Sequence, residues 1–279
     1  MPSRDIATLD VGSGPPVLLV HGLGGFKESW GRVPDLIAAT GHRSVAIDLP
    51  GWGESPGSRR EPHTADWYAR RLLPLVGELD RPLVVGHSLG AQVATMMALR
   101  VPGSLSGLVL VSPQVVRRAQ QSRRPRVPQD WAALPLIGPL ASRLFFRAFL
   151  RDDARLERGF AAVVSDRRRF AEDPAARALL EQAKQRFRAT SPGVWAKALN
   201  CGLRLDLRDV GRRLETPTVV IVGDADRITR PATAISLARS VPAARLSVLA
   251  GVGHLPQIEA PERLVDQLGF GHSGATESR

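Results

Sequence analysis

The chain has a single cysteine, Cys201, in 279 residues. An internal disulfide is excluded, as is a metal site built from several thiolates, and the simplest role for Cys201 is a small buried hydrophobe. Long apolar runs are also missing. Stretches such as Pro15 to Val20 and Leu105 to Val111 fall well short of the ~20 residues that a spanning helix needs. Met1 to Asp10 carries neither the apolar segment nor the small-residue cleavage site of an export signal, so the expected location is cytoplasmic. Aromatic residues are few, at 5%, with one tyrosine, Tyr68. Lysine is scarcer still, at 3 residues against 35 arginines.

What remains is an ordinary globular composition, 43% hydrophobic and 23% charged, in a chain long enough to bury one large core. The net charge of +11 would by itself suggest an anionic partner. Its position argues otherwise: Pro113 to Glu215 holds 22 basic and 11 acidic residues, and the rest of the chain is balanced at 16 and 16. The basic segment has no interleaved aromatics and no nucleic-acid module, so no nucleic-acid partner is expected.

Short β-branched or leucine-rich runs alternate with helical segments, the pattern of a parallel sheet covered on both faces. The predicted strands are Val17 to Val20, Val45 to Ile47, Leu83 to Val85, Leu108 to Val111, Val219 to Val222 and Leu246 to Leu249. Helices are predicted over Leu89 to Arg100, Ala232 to Ser240 and Pro261 to Leu268, with a fraying tail from Gly271. Between them, residues 113–213 lack strand-like runs and read as short helices broken by Pro125, Pro128, Pro135, Pro139, Pro174 and Pro192.

Gly86-His87-Ser88-Leu89-Gly90 fits Gly-x-Ser-x-Gly after an apolar strand and at the head of a helix. In that setting a sharp turn lifts the serine hydroxyl clear of the backbone, and the glycines remove Cβ atoms that would collide. A serine hydroxyl needs a base, and the base needs an acceptor to hold its tautomer. His254 follows the last predicted strand and Asp226 the one before it, with Asp224 two residues away as an alternative acid. The developing oxyanion needs two donors. One is the Leu89 amide; the second is assigned to Leu23 in His21-Gly22-Leu23-Gly24, with Gly22 and Gly24 letting the backbone approach substrate. His21 is read as an orienting hydrogen-bond partner, while His42, His63, His87 and His272 carry no motif and no catalytic role.

Along nearly its whole length the chain resembles the α/β-hydrolase superfamily. Four motifs stand in order: His21-Gly22-Leu23-Gly24, the run Asp48 to Ser55, Gly86 to Gly90, and Gly223-Asp224-Ala225-Asp226 with Gly253-His254. The resemblance implies an α/β-hydrolase fold with an eight-stranded, mostly parallel sheet, Ser88 as nucleophile, Asp226 as acid, His254 as base, and Leu23 with Leu89 as oxyanion hole. It further implies a core of residues 1–112 and 214–279, a helical cap over 113–213, and no cofactor or metal. Epoxide hydrolases and haloalkane dehalogenases of this fold use an aspartate nucleophile, against which Ser88 argues. Carbon–carbon bond hydrolases usually carry Asn-Ser-Met-Gly-Gly where this chain has His-Ser-Leu-Gly-Ala. A carboxylic ester hydrolase is the expected activity. Carbon–carbon bond hydrolysis or perhydrolysis on the same triad is the alternative, and a ligand receptor that retains the triad is an alternative of another class.

The most apolar part of the cap runs from Leu134 to Leu150. At 100° per residue Arg143, Arg147 and Arg151 fall in a sector of about 80°, and apolar residues cover most of the rest. Leu144, Phe145 and Phe149 are expected to line a pocket for a hydrophobic ester of short-to-medium chain or aromatic acid. The same basic edge permits weak contact with an anionic membrane surface. Arg167 to Arg169 reads as a solvated charge run, and a monomer or homodimer is expected.

Overall fold

The computed structural model describes residues 5–115, 138–202 and 205–270. Calls on the arginines of 117–126, on Pro125, Pro128 and Pro135, on the Cys201 side chain and on the tail from Gly271 lie outside the described residues.

Each apolar run predicted as a strand forms one: β2 (Pro16–Val20), β3 (Arg43–Ile47), β4 (Leu83–His87), β5 (Gly107–Val111), β6 (Thr218–Gly223) and β7 (Arg245–Leu249). A further strand, β1 (Thr8–Val11), was not foreseen, because its four residues are half-exposed and include Asp10. The sheet order is β1-β3-β2-β4-β5-β6-β7. All pairings are parallel except β1 with β3, which sets Thr8 opposite Ile47 and Val11 opposite Ser44. Seven strands are therefore present among the described residues, not the eight that the resemblance implied. The margin beyond β3 is closed by β1 alone, a short strand whose outer side faces water.

Central strands carry continuous apolar sequence because both faces are covered. Val17 to Val20 are fully buried, each contributing roughly 1.5–3 kcal/mol of burial free energy. On one face lie α2 (Ala65–Leu79), α3 (Leu89–Arg100) and a helix α10 (Pro231–Ser240); on the other lie α1 (Val33–Ala39) and α12 (Pro261–Asp266). The predicted last helix is α12, two residues shorter than expected, and a short helix α11 (Pro256–Glu259) precedes it; each starts at a proline. Thr64 caps α2 by accepting the Trp67 amide at 3.0 Å.

Between β5 and β6 the described chain forms α4 (Gly138–Phe149), α5 (Asp153–Val163), α6 (Arg167–Glu172), α7 (Pro174–Ala189), α8 (Pro192–Gly202) and α9 (Leu207–Gly211). Pro174 and Pro192 begin helices, where a missing N–H costs nothing. Asp173 caps α7, accepting the amides of Ala175 at 2.8 Å and Ala176 at 3.4 Å. Among the described residues no helix is long and apolar enough to cross a membrane.

The chain runs from β2 outward to β3 on one side and then returns to β4 on the other. The direction of winding thus reverses between β2 and β4. At such a switch point the loops leaving the carboxyl ends of two adjacent strands diverge and open a crevice. Here those loops are Gly22 to Gly25 and Ser88, with the loops after β6 and β7 on the same edge.

Candidate active site

The turn from β4 into α3 needs both of its glycines. A Cβ on Gly86 would lie 2.3 Å from the Gly90 carbonyl oxygen, and one on Gly90 would lie 2.2 Å from the Val20 oxygen. That packing forces Ser88 to φ 53°, ψ −111°, a conformation L-residues seldom adopt and one that stores strain. The surroundings hold it there: Ser88 N donates to the Val111 carbonyl at 2.9 Å and Ala91 N donates to the Ser88 carbonyl at 3.1 Å. The serine side chain stands at the N-terminus of α3, largely screened from bulk water.

Across the crevice, His254 Nδ1 donates to Asp226 Oδ2 at 2.9 Å. Asp226 Oδ1 accepts the amides of Ile228 and Thr229, both at 2.8 Å. Burial pushes the Asp226 carboxyl up, but the His254 hydrogen bond and charge and the two amides outweigh it and leave its pKa lowered. Asp224 goes elsewhere: its exposed carboxylate accepts the Gly251 amide at 2.7 Å. Of the two aspartates that the sequence left open, Asp226 is the one that meets His254.

Ser88 Oγ makes no hydrogen bond to His254 among the described residues. The two loops are joined instead through His87, whose Nε2 donates to the His254 carbonyl at 2.9 Å. Burial, followed by the charge of His254, holds the His87 pKa down at about 3, so its ring is neutral. Sequence reading gave this histidine no role. Its signal was its place immediately before the serine, on a buried strand end where an imidazole must find a partner.

Gly22 presses on the elbow, since a Cβ there would sit 3.0 Å from Ser88 Cβ. Among the described residues the amides of Leu23 and Leu89 donate to no acceptor. His21 supports this loop from beneath. Its Nε2 accepts the Leu49 amide at 3.0 Å, which leaves the ring proton on Nδ1 for the Gly22 carbonyl at 2.8 Å. Burial lowers the His21 pKa and keeps it neutral.

Of Leu144, Phe145 and Phe149, expected to line a pocket, only Phe149 packs against the core among the described residues. Leu144 and Phe145 are 58% and 45% exposed on the outer face of α4, and Phe149 stacks on Phe145 with centroids 5.6 Å apart. Phe146 of α4 is buried, and its ring lies 4.8 Å from that of Trp195. Apolar residues cover most of α4, so periodicity alone could not tell which apolar arc packs inward. Trp195, on α8, also meets Trp52 and Phe187, each at 4.9 Å. Gly24 touches this cluster most closely: a Cβ there would lie 2.4 Å from Trp195 Cη2. The buried Gln92 of α3 ties the end of α8 down by donating to the Gly202 carbonyl at 2.8 Å.

Residues 17–267 match the sequence pattern of the alpha/beta hydrolase family. The chain belongs to that family. Among its relatives is a pimeloyl-acyl-carrier-protein methyl ester esterase of Aeromonas hydrophila, 28% identical over 260 residues that span 91% of this chain and 94% of the relative. An enzyme of the same description from Aromatoleum aromaticum is 32% identical over 256 residues, 89% of this chain and 94% of that one. A solved thermophilic esterase from Thermogutta terrifontis superposes with a TM-score of 0.73 at 27% identity, over 94% of this chain and 90% of that one. Within an alpha/beta hydrolase, the edge that carries Ser88, Asp226 and His254 is the one where catalytic loops gather.

Proposed function

We propose that this alpha/beta hydrolase cleaves carboxylic esters with hydrophobic, short-to-medium-chain or aromatic acyl groups through an acyl-enzyme on Ser88. The relatives named above are esterases, and ester hydrolysis is the class of chemistry. The observation that carries the finer reading is the strained Ser88 at the head of α3, packed against the Gly22 loop on the sheet edge that also carries the joined His254–Asp226 pair.

In the first step His254 Nε2 takes the Ser88 proton as Oγ attacks the ester carbonyl. Asp226 fixes the proton on Nδ1 and stabilises the imidazolium that forms. The Leu23 and Leu89 amides receive the oxyanion, the second aided by the N-terminus of α3. His254 then protonates the departing alkoxide, and water enters to release the acid by the same roles reversed. The aromatic group of Trp195, Phe146, Phe187 and Trp52, resting on Gly24, offers the acyl chain an apolar wall beside the oxyanion loop.

A panel of p-nitrophenyl esters from acetate to palmitate, assayed on the wild type and on Ser88→Ala with a fluorophosphonate label on both, tests the reading. Serine-dependent labelling with turnover that peaks at short or medium chains is expected. Labelling without ester turnover moves the chemistry to carbon–carbon bond cleavage or perhydrolysis. Turnover that survives in Ser88→Ala overturns the assignment.

A further inference from the structure

His254 is gripped through its backbone as well as its ring. Three consecutive amides, of Gly253, His254 and Leu255, all donate to groups outside the turn that carries them. Gly253 N reaches Glu259 Oε2 at 3.0 Å and Leu255 N reaches Glu259 Oε1 at 3.1 Å. His254 N donates to the Val163 carbonyl, at the end of α5, at 2.8 Å. Glu259 Oε2 also accepts two bonds from Ser165 in the helical insertion, from its amide at 2.7 Å and its hydroxyl at 2.6 Å. The fit is tight, for a Cβ on Gly253 would lie 2.6 Å from Ser165 N. Ser165 Oγ in addition lies 2.7 Å from the Gly251 carbonyl.

From this geometry we propose that Glu259 is a positioning residue that clamps the His254 turn to the helical insertion, so that the base is aligned only while Ser165 is seated. The proposal rests on His254 being the base. A carboxylate suits the task because it is an acceptor on both oxygens. Four donors converge on it from two parts of the chain that are far apart in sequence, the turn at 253–255 and the segment at Ser165. No neutral side chain of that size accepts on both branches. Glutamine fills the same volume but would turn an NH2 group toward either Leu255 N or the Ser165 and Gly253 amides, leaving donor against donor. Movement of α5 and α6 away from the core would then withdraw Ser165 and Val163 together, releasing the turn on both sides of the base.

The test compares Glu259→Gln, Ser165→Ala, Ser165→Thr and the Glu259→Gln/Ser165→Ala double variant in the full chain, well below each variant's Tm. The rate of fluorophosphonate labelling and kcat should fall by on the order of tenfold to a hundredfold in Glu259→Gln, with KM within about twofold, because misplacement of a catalytic group costs rate before binding. Ser165→Ala should lose less, Ser165→Thr should recover most of it, and the double variant should match Glu259→Gln, since Ser165 acts through the carboxylate. If Glu259→Gln lowers Tm but labels at the wild-type rate, Glu259 is only structural and the proposal falls. Losses that multiply in the double variant also overturn it.

Should Glu259→Gln not fold, the serine variants decide: wild-type labelling by Ser165→Ala is fatal to the coupling. The NMR signal of the His254 Nδ1 proton separates this proposal from the ester reading, because it requires no working nucleophile. Its broadening or faster exchange in Ser165→Ala or Glu259→Gln supports the clamp even if the wild type fails to label, and an unchanged signal in both counts against it.

Discussion

His87 and His254 sit with ring centroids 5.0 Å apart, and the imidazole of the first donates to the backbone carbonyl of the second. The residue before Ser88 therefore holds the residue proposed as its base. His87→Ala should lower kcat by roughly tenfold, the equivalent of about 1.4 kcal/mol for one net hydrogen bond. His87→Gln, which keeps a donor at the end of the side chain, should restore most of that loss. Steady-state kinetics on the ester panel separate the two variants.

A second consequence concerns acid stability. The folded-state pKa of His87 lies near 3, below the ordinary value of 6.5. Between those values the unfolded chain binds a proton that the folded chain does not, so stability rises with pH across this window. The contribution is complete above about pH 6.5 and is lost progressively as pH falls toward 3. Urea midpoints measured at pH 7 and pH 4.5 should fall further in the wild type than in His87→Gln. Equal falls in the two proteins would show that other groups dominate the acid transition.

The strain at Ser88 can be measured directly. Glycine adopts φ 53° without a Cβ penalty, while a strained L-residue there costs on the order of 1–3 kcal/mol and glycine's extra chain entropy returns only about 0.5–1. Ser88→Gly should accordingly raise unfolding free energy by about 1 kcal/mol and abolish turnover, the two effects expected where a fold stores strain for chemistry. Ser88→Ala should abolish turnover with no such gain. Denaturant titration of the three proteins reads the difference.

Most of this fold could be read from the sequence because buried parallel strands are short, continuous and apolar, as in Val17 to Val20 and Leu108 to Val111. β1 could not, since Thr8 to Val11 pairs at an edge and buries little. The positions of Ser88, Leu89 and Gly22 follow from strand-to-helix sterics that local sequence encodes. The choice of Asp226 over Asp224 does not. It depends on which carboxylate the turn after β6 directs at His254, a matter of long-range packing between β6 and β7. The inward face of α4 was misjudged for a related reason: Phe145 and Phe146 are chemically equal, and only the position of α8 decides that Phe146 meets Trp195. His87 and Glu259 were missed because most of their partners are backbone atoms, which leave no trace in side-chain composition.

The charge excess of the insertion is partly consumed in joining it to the core. Arg186 on α7 bonds Glu54, which also accepts Lys27 Nζ at 2.6 Å, and Lys27 N donates to the fully buried Asp48 at 2.6 Å. Hydrogen bonds from Lys27 and Arg186 hold the Glu54 carboxyl down at about 2. Its side chain is 52% exposed, so solvent screening limits its worth to within about 1 kcal/mol. The sign is that of a carboxylate with a depressed pKa: the stabilisation is present above the ordinary value of 4.5 and lost as pH falls through about 2. Glu54→Gln should be slightly less stable than wild type at pH 7, and the gap should shrink at high salt and close only as pH falls below about 2. A gap that persists at low pH would assign the loss to packing.

Trp195 sets the size of the site if the aromatic cluster is the acyl wall. Its ring edge rests against Gly24, next to Leu23, whose amide is the proposed oxyanion donor, so under that reading an acyl chain leaving the carbonyl on that side meets the indole at once. Trp195→Ala would remove a buried ring and cost roughly 3–5 kcal/mol, so Trp195→Leu is the better probe because it opens room while keeping the site apolar. The expected result is a shift of the kcat/KM optimum toward longer p-nitrophenyl esters, through gains on long chains and little change on acetate. Leu144→Ser on the outer face of α4 should leave the chain-length profile where it was, because its side chain is 58% exposed and points away from the wall. The opposite pattern, a profile moved by Leu144→Ser and unmoved by Trp195→Leu, would place the acyl pocket on α4 and remove Trp195 from specificity.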